Sequence, residues 1–542
     1  MNNYLQWKIS NMRKAVSNGM MYDVTFSLTG LSAVGKPKAT ENKVYTCTLV
    51  PNSGKWLPHS LSVLCNSEPC KFSYDYVTGV ITIPKEYIVG NIEIEAIGAD
   101  YNTATTAILE VEKITSDTYV SSSASYTGEE FLLLSIYPTK GGTVNVTYGG
   151  LTKTITDDGT SESDPASQDV YFGKYKGVSD SVSTPSSGTL TISGSYIGFG
   201  CKSFSYSKTS YKFCSCITKI ISFGSTSKIP INAFLGCKNL GDIVIPYGVT
   251  EIGGNAFGSV ESTVGGSPCS CTSINLPNSV TSIGNFAFRG NIDLKYINIP
   301  ESVTSIGHGS FSGDYTSYVS GSVRSFPVDI DVSEKNMYFC SENGILFNKD
   351  KTEILSYASV IRDYTIPNSV QSVKDYAFYY SGITSINIPS SVTSIGQSAF
   401  YGCRLTDLYV PSSVTSIGQS AFYTNKNLSN VVIDGQITKV DKSTFGFCGK
   451  VFEITLPPTV TDLGNICFER SSSHEGGSIT IHITGSQPTV NKIFGDDDHS
   501  SGGRNENLDK YNITFTVPDM SSFEQNYDDW FEYGYYYYVK EA

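Results

Sequence analysis

The sequence predicts a mainly β chain, with small strand modules first, then a stacked-repeat solenoid and a terminal cap. Three observations carry that prediction. A short string recurs through the second half: VTEIGGNAF from Val249, VTSIGNFAF from Val280, VTSIGHGSF from Val303, VQSVKDYAF from Val370, and VTSIGQSAF from both Val392 and Val414. The 542 residues include 50 Gly, 21 Pro and 36 Tyr, and only 16% are charged, a balance that favours strands and turns. No run rich in Ala, Leu, Glu and Lys is long enough to seed a long helix.

Residues 1–113 read as a β-sandwich module. Val24, Phe26 and Leu28 alternate with polar residues, as do Ile81 with Ile83 and Ile92 with Ile94. Residues 114–156 form a second small β unit, in which Thr143–Thr147 and Leu151–Thr156 flank Gly149-Gly150, a hairpin signal. The acidic, Ser-rich stretch Asp157–Gln168 reads as a linker. Residues 169–216 are expected to cap the solenoid at its N-terminal end, 217–515 to form the solenoid with an island at about 312–362, and 516–542 to cap its C-terminal end.

The solenoid follows from spacing. The phenylalanines that close each repeat are Phe234, Phe257, Phe288, Phe311, Phe378, Phe400, Phe422, Phe445 and Phe468, separated by 23, 31, 23, 67, 22, 22, 23 and 23 residues. The two long gaps hold insertions. Within one repeat, Ile386 and Ile388 point inward and Asn387 outward, as strand alternation requires. Pro389 ends the strand because it has no N–H for the next rung. Gly396 is expected at a turn of positive φ. Ala399 and Phe400 plug the core. One rung cannot cover its own apolar face, but stacked rungs cover each other, and nine would span roughly 40–45 Å.

The string I-x-I-P-x-S-V-T-S-I-G-x-x-A-F-x-G-C-x-L, nearly whole in Ile386–Leu405, closely resembles the BspA-like leucine-rich repeat. The resemblance runs from about Ile217 to the C-terminus. Phe326–Leu355 resembles the β-hairpin island inserted in that family, and Val517–Trp530 its C-terminal cap. YDYVTGVITIP, beginning at Tyr74, resembles small immunoglobulin-like modules of bacterial surface and phage proteins. The resemblance implies an N-terminal Ig-like region ahead of the solenoid and a role in surface attachment and host binding.

Several chemistries are disfavoured. A net charge of −13 without a basic stripe argues against nucleic acid and anionic lipid, and no apolar stretch is long enough for a membrane span. The N-terminus shows no apolar leader region. The five histidines, His59, His308, His474, His482 and His499, fall in no metal or catalytic array, and His308 occupies a variable repeat position. Gly30–Lys36 imitates a phosphate loop, but Pro37 follows where a hydroxyl is needed. Asp496–Asp498 lacks an EF-hand spacing and reads as a solvated loop. Of thirteen cysteines, Cys237, Cys403, Cys448 and Cys467 sit at repeat positions as core thiols. The pairs Cys65/Cys70, Cys214/Cys216 and Cys269/Cys271 could be disulfides or metal ligands, although C-x-C alone lacks zinc spacing. No catalytic residue, cofactor or metal is expected.

A ligand would meet the outward residues of the stacked strands: Val244, Asn275, Asn298, Thr365, Asn387, Tyr409, Val432 and Thr455. Asn275, Asn298, Thr365, Asn387, Tyr409 and Thr455 are the ligand-face candidates, since amides and hydroxyls hydrogen-bond and Tyr409 offers a stacking ring. The same residues also suit a solvated sheet with no ligand. The insertions at 258–271, 312–362 and 496–509 are alternative contact surfaces. The expected function is a non-enzymatic, displayed binding protein that meets host glycan or protein. A phage virion fibre or decoration protein is preferred, with residues 1–113 docked onto the particle. A bacterial surface or secreted adhesin and a purely structural assembly protein are the alternatives. Partners would include virion or cell-envelope proteins. A homo-oligomer is admitted, although no heptads support a coiled coil.

Overall fold

The computed structural model describes residues 21–29, 31–51, 55–56, 61–75, 80–97, 99–100, 106–111, 131–157, 168–175, 178–179, 188–201, 204–207, 210–212, 217–237, 240–259, 269, 271–291, 293–313, 328–449, 451–464, 467–468, 478–486, 488–490, 512–518 and 537–541. Strands dominate, and the one helical element among the described residues is a 3-10 turn at Lys85–Tyr87. The chain divides into two compact units.

The described part of the first unit, mainly within 21–107, holds a two-stranded pair of Lys55–Trp56 with Ala99–Asp100 and two larger sheets. One runs Lys38–Thr40, Met21–Thr29, Ile92–Ile97, Ser62–Cys65, Glu68–Pro69; the other runs Leu31–Gly35, Tyr45–Pro51, Val80–Ile83, Ser73–Asp75. Val24, Ile92 and Ile94 of the first sheet share one buried cluster with Cys47, Leu49 and Ile81 of the second, so alternate residues of both sheets face a common core. Leu31–Gly35 is strand rather than a phosphate loop. Cys65 and Cys70 form a disulfide.

The second unit contains the expected hairpin, after the strands Ala107–Val111 and Phe131–Pro138. Thr143–Tyr148 pairs antiparallel with Leu151–Thr156, and Gly149 and Gly150 turn the chain at φ 59° and 81°. Both glycines lie in the left-handed region that the tight turn demands. Strand pairing crosses the 168/169 boundary: Phe131–Pro138 sits between Gln168–Tyr175 and Tyr196–Cys201, with Leu134 opposite Val170 and Ile136 opposite Phe199. Residues 158–167 of the expected linker lie outside the described residues, as do Cys214, Cys216 and the Asp496–Asp498 loop.

In the solenoid a rung typically contributes one longer strand and one two-residue strand, and runs of successive rungs pair in parallel within several short sheets. Ile297 lies opposite Ile330 and Leu408 opposite Val431 on the longer strands; Ile395 lies opposite Ile417 on the shorter ones. The turn that carries the phenylalanine is laddered too: the N–H of Phe400 donates to Ala421 O at 2.8 Å and that of Gly402 to Tyr423 O at 2.8 Å. All nine phenylalanines are buried. Their rings stack in a column, with Phe400 4.7 Å from Phe378 and 5.3 Å from Phe422, the latter pair tilted by only 2°.

Both strand sheets break at the 67-residue gap, after Ser305–Ile306 and after Asp329–Val332, while the turns stay joined by the Gly313 N–H, which donates to Tyr379 O at 3.0 Å. Phe339–Glu342 and Ile345–Asn348 form a hairpin that turns on Asn343 and Gly344 at positive φ. A third strand, Glu353–Tyr357, then joins the short-strand sheet beside Ser372–Val373. Tyr357 takes the place of the missing phenylalanine. Its N–H donates to Ala377 O, and its ring stacks on Phe378 at 4.6 Å. At the far end, Asn512–Val517 and Tyr537–Glu541 continue the long-strand sheet in parallel.

Gly396 departs from expectation. It carries no positive φ; the left-handed residue is Ser398, at φ 50°. A Cβ on Gly396 would lie 2.5 Å from Asp375 N and 2.7 Å from Lys374 C. Gly418 meets Gln397 N at 2.5 Å in the same way. The repeat glycine is therefore fixed by close approach of the previous rung's backbone. Lys374 stands in the glycine's position on the rung whose neighbour is the island strand, and there it pairs with Glu353 at 3.3 Å.

Candidate binding face of the solenoid

Each side of a rung has a distinct task. On the short-strand side, the Thr of the repeat caps the rung before it: Thr393 Oγ1 donates to Gln371 O at 3.1 Å and Thr415 Oγ1 to Thr393 O at 3.2 Å. The nearby Ser413 donates to Val392 O at 2.7 Å. At the corner after the phenylalanine, Cys403 Sγ donates to Phe378 O at 3.0 Å, while Asn425 Nδ2 reaches Phe400 O and Phe422 O, each at 2.8 Å. Cysteine and asparagine are thus alternatives for one task, satisfying the carbonyl of a buried phenylalanine. These side chains are committed to the stack.

The long-strand side differs. Its alternate residues face away from the core and present the candidates. Asn387 and Thr365 are exposed and lie opposite each other, Asn298 and Thr455 are half-buried, and Tyr409 is 53% exposed. Asn275 lies opposite Asn298 in register. The order of the row differs from a simple reading of the repeats: the residue beside Asn298 is Asp331 of the island, not Thr365. Asp331 Oδ2 accepts from Tyr296 Oη at 3.2 Å and from Asn298 Nδ2 at 3.4 Å. Burial first, and Asp331 second, push the Tyr296 phenol up. Tyr409 Oη donates to Asp434 Oδ2 at 2.6 Å, which raises its pKa and leaves the ring face presented outward.

Two features of this face were not found from the sequence. The row continues past Thr455 through His482 to Thr516. His482 Nε2 lies 2.7 Å from Glu453 Oε1, and Nδ1 lies 2.5 Å from Thr516 Oγ1. The signal existed, since His482 sits between Ile481 and Ile483 in the same alternation as Asn387. A second row, two residues earlier on each strand, carries Asp329, Asp363, Asp407 and Glu453. These carboxylates share the row with Ser273, Tyr296, Ser385 and Asn430, so the face mixes carboxylates, amides and hydroxyls with the rings of Tyr296 and Tyr409. His308 is exposed, as its variable position implies.

The cysteines are mostly packing. Cys237, Cys403, Cys448 and Cys467 are fully buried. Cys269 and Cys271 are thiols with Sγ atoms 3.5 Å apart. Among the described residues no group of three or more His, Cys, Asp or Glu is arranged as metal ligands, and no helix is long and apolar enough to cross a membrane.

Comparison with known proteins matches this repeat directly. The model of the BspA type leucine-rich repeat region matches six copies over residues 197–264, 267–358 and 351–475, together more than half of the chain. No curated protein matches it. Among solved structures, the chain is similar to a leucine-rich repeat protein from Eubacterium ventriosum at 24% identity, over 51% of this chain and 79% of that one, with a TM-score of 0.32. A leucine-rich cell surface protein from Faecalibacterium prausnitzii matches at 21% identity over 55% and 76%, with a TM-score of 0.34. The pneumococcal vaccine antigen PcpA matches at 17% over 52% and 93%, with a TM-score of 0.23. With its own repeats, its phenylalanine column and the family match in agreement, the chain belongs to the BspA-type leucine-rich-repeat proteins.

Proposed function

We propose that this chain is a displayed binding protein that engages a host-surface glycan, or a polar protein face, through the long-strand side of its solenoid. The observation that supports this most is the division of labour between the sides. Thr393, Thr415, Ser413, Cys403 and Asn425 are used on backbone carbonyls, whereas Asn387, Thr365 and Tyr409 lie on the outward side beside Asp363 and Asp407. Carboxylates and amides hydrogen-bond sugar hydroxyls, and the Tyr409 ring, fixed by Asp434, offers a stacking surface. Binding, not catalysis, is the chemistry that such a flat row suits. Residues 1–113 are read as the attachment module, with cell-envelope proteins as their partners. The phage-particle location expected from the sequence gains nothing from the family match, and we place the chain at a cell surface or in the extracellular space.

Adhesion of the full chain to host cells and to a glycan array tests this. Asn387→Ala with Tyr409→Ala is expected to reduce binding at least tenfold without lowering thermal stability. Unchanged adhesion by the folded double variant would reject this face.

A further inference from the structure

We propose that Cys201 and Cys237 form a disulfide that staples the strand before the first full rung onto that rung. Cys201 ends the strand Tyr196–Cys201, and Cys237 closes the turn that follows Phe234. Their Sγ atoms are 3.7 Å apart, in van der Waals contact, across 36 residues of chain. The two backbones are already joined: the Cys201 N–H donates to Ala233 O at 2.5 Å. Beside the thiols, the Phe199 ring meets Phe234 edge-on at 6.0 Å. Cys201 and Cys237 are both buried. Closing the gap to an S–S bond of about 2.05 Å needs each sulfur to move by under about 1 Å, within reach of a side-chain rotation.

The chemistry is thiol–disulfide exchange. A thiolate of one cysteine attacks the disulfide of an oxidant, an oxidoreductase or oxidised glutathione, and a mixed disulfide forms. The second thiolate then displaces the oxidant's sulfur. Two S–H bonds are lost and one S–S bond is gained, the oxidant leaves as two thiols, and the two electrons pass to it. Because both thiols are enclosed in the folded chain, oxidation belongs to folding, before the column closes. The first unit already holds the Cys65–Cys70 bridge. The expectation that the bridge forms in the cell rests on the extracellular reading above; its formation in a redox buffer does not.

This location matters because here the first full rung meets a strand of a different sheet, Tyr196–Cys201 paired with Phe131–Pro138, rather than another copy of the repeat. A bridge across 36 residues limits the unfolded chain and holds the strand on the phenylalanine column.

The full chain refolded in a glutathione redox buffer, alkylated and digested without reductant, should yield a Cys201–Cys237 linked peptide lighter than its parts by two hydrogens. Dithiothreitol should release it and lower the melting temperature. Cys201→Ser and Cys237→Ser should each abolish the linked peptide and the dithiothreitol-sensitive part of the stability, and the double variant should lose no more. Full alkylation of both thiols in the refolded chain, or linkage of Cys237 to Cys269 instead, would overturn the assignment. Linkage in the buffer without linkage in protein recovered from its host would leave the staple standing and count against the extracellular location.

Discussion

Replacing Gly396 separates two reasons for the glycine that recurs in this repeat. Glycine can be required by a left-handed backbone or by a neighbouring chain too near for a Cβ. The structure supports the second. The alanine Cβ would meet Asp375 N at 2.5 Å and Lys374 C at 2.7 Å, both backbone atoms. Those atoms cannot swing aside, because Gly396 N–H donates to Val373 O at 2.8 Å and Gln397 N–H to Asp375 Oδ1 at 2.8 Å. Overpacking costs about 1–3 kcal/mol, and a clash with pinned backbone belongs at the upper end, about 3 kcal/mol. Gly396→Asn is the discriminating variant. Asparagine tolerates the left-handed region, so a φ requirement would make it nearly silent, whereas close approach makes it at least as harmful as alanine. Gly254→Ala is the control: its nearest atom is Asn285 O at 3.2 Å, and its backbone is not left-handed, so the change should cost under about 1 kcal/mol. Urea unfolding of the full chain, with hydrogen exchange at the Gly396 and Gly418 amides, reads the cost on the solenoid itself. If Gly396→Asn matches the parent while Gly396→Ala is destabilised, the close-approach argument is wrong.

Other outcomes follow from the same geometry. Phe400→Ala removes a fully buried ring stacked on both sides, and should cost about 3–5 kcal/mol in denaturant unfolding; a loss under about 1 kcal/mol would mean the column collapses around the gap. Asn425→Leu strips the Nδ2 donor from Phe400 O and Phe422 O and should cost about 1–3 kcal/mol, while Asn425→Cys, the residue used at this corner by Cys403 and Cys448, should cost less. Burial pushes the Cys403 thiol up to about 12 from 9.0. The folded chain therefore holds this proton more tightly than the unfolded chain, so the contribution is intact below pH 9 and is lost as pH rises toward 12. Alkylation of Cys403 at pH 9 should need unfolding; rapid labelling of the native chain would contradict its burial.

Much of the fold was legible because stacked rungs repeat the same physical demand. The closing phenylalanines lie where spacing put them, and Ile388 and Val410 point inward on schedule. What escaped depends on which rung lies beside which. Tyr357 fills a phenylalanine's place, but no copy of the repeat string surrounds it, so only the stack reveals it. Asp331 stands beside Asn298 because the island enters the long-strand sheet, a fact of register that sequence order hides. The glycine was visible and its cause was not, since close approach is a property of two chains. The equivalence of Asn425 with Cys403 was hidden for a similar reason: unlike side chains serve one carbonyl. The carboxylates of the second row were readable in strand alternation, two residues before Thr365, Tyr409 and Thr455, and His482 lay on the first row in the same pattern.

The choice of the long-strand side as the binding face follows from what the other sides cannot change. A substitution at Thr415 would remove a cap from Thr393 O, and one at Asn425 or Cys403 would strand a carbonyl in the core. Both act on stability before they act on any ligand. Asn387 and Thr365, by contrast, are exposed members of a row whose inward neighbours, Ile366 and Ile388, do the packing. Residues there can change from Asn to Tyr to Val between rungs, as Asn387, Tyr409 and Val432 do, with the stack unaltered beneath them. A face free to vary in this way is where recognition can be selected without cost to folding. Its carboxylates set the sign of what it accepts: Asp363, Asp407 and Glu453 stand in one row, so a neutral, hydroxyl-rich partner is tolerated, whereas an anionic one is repelled more strongly as salt is lowered.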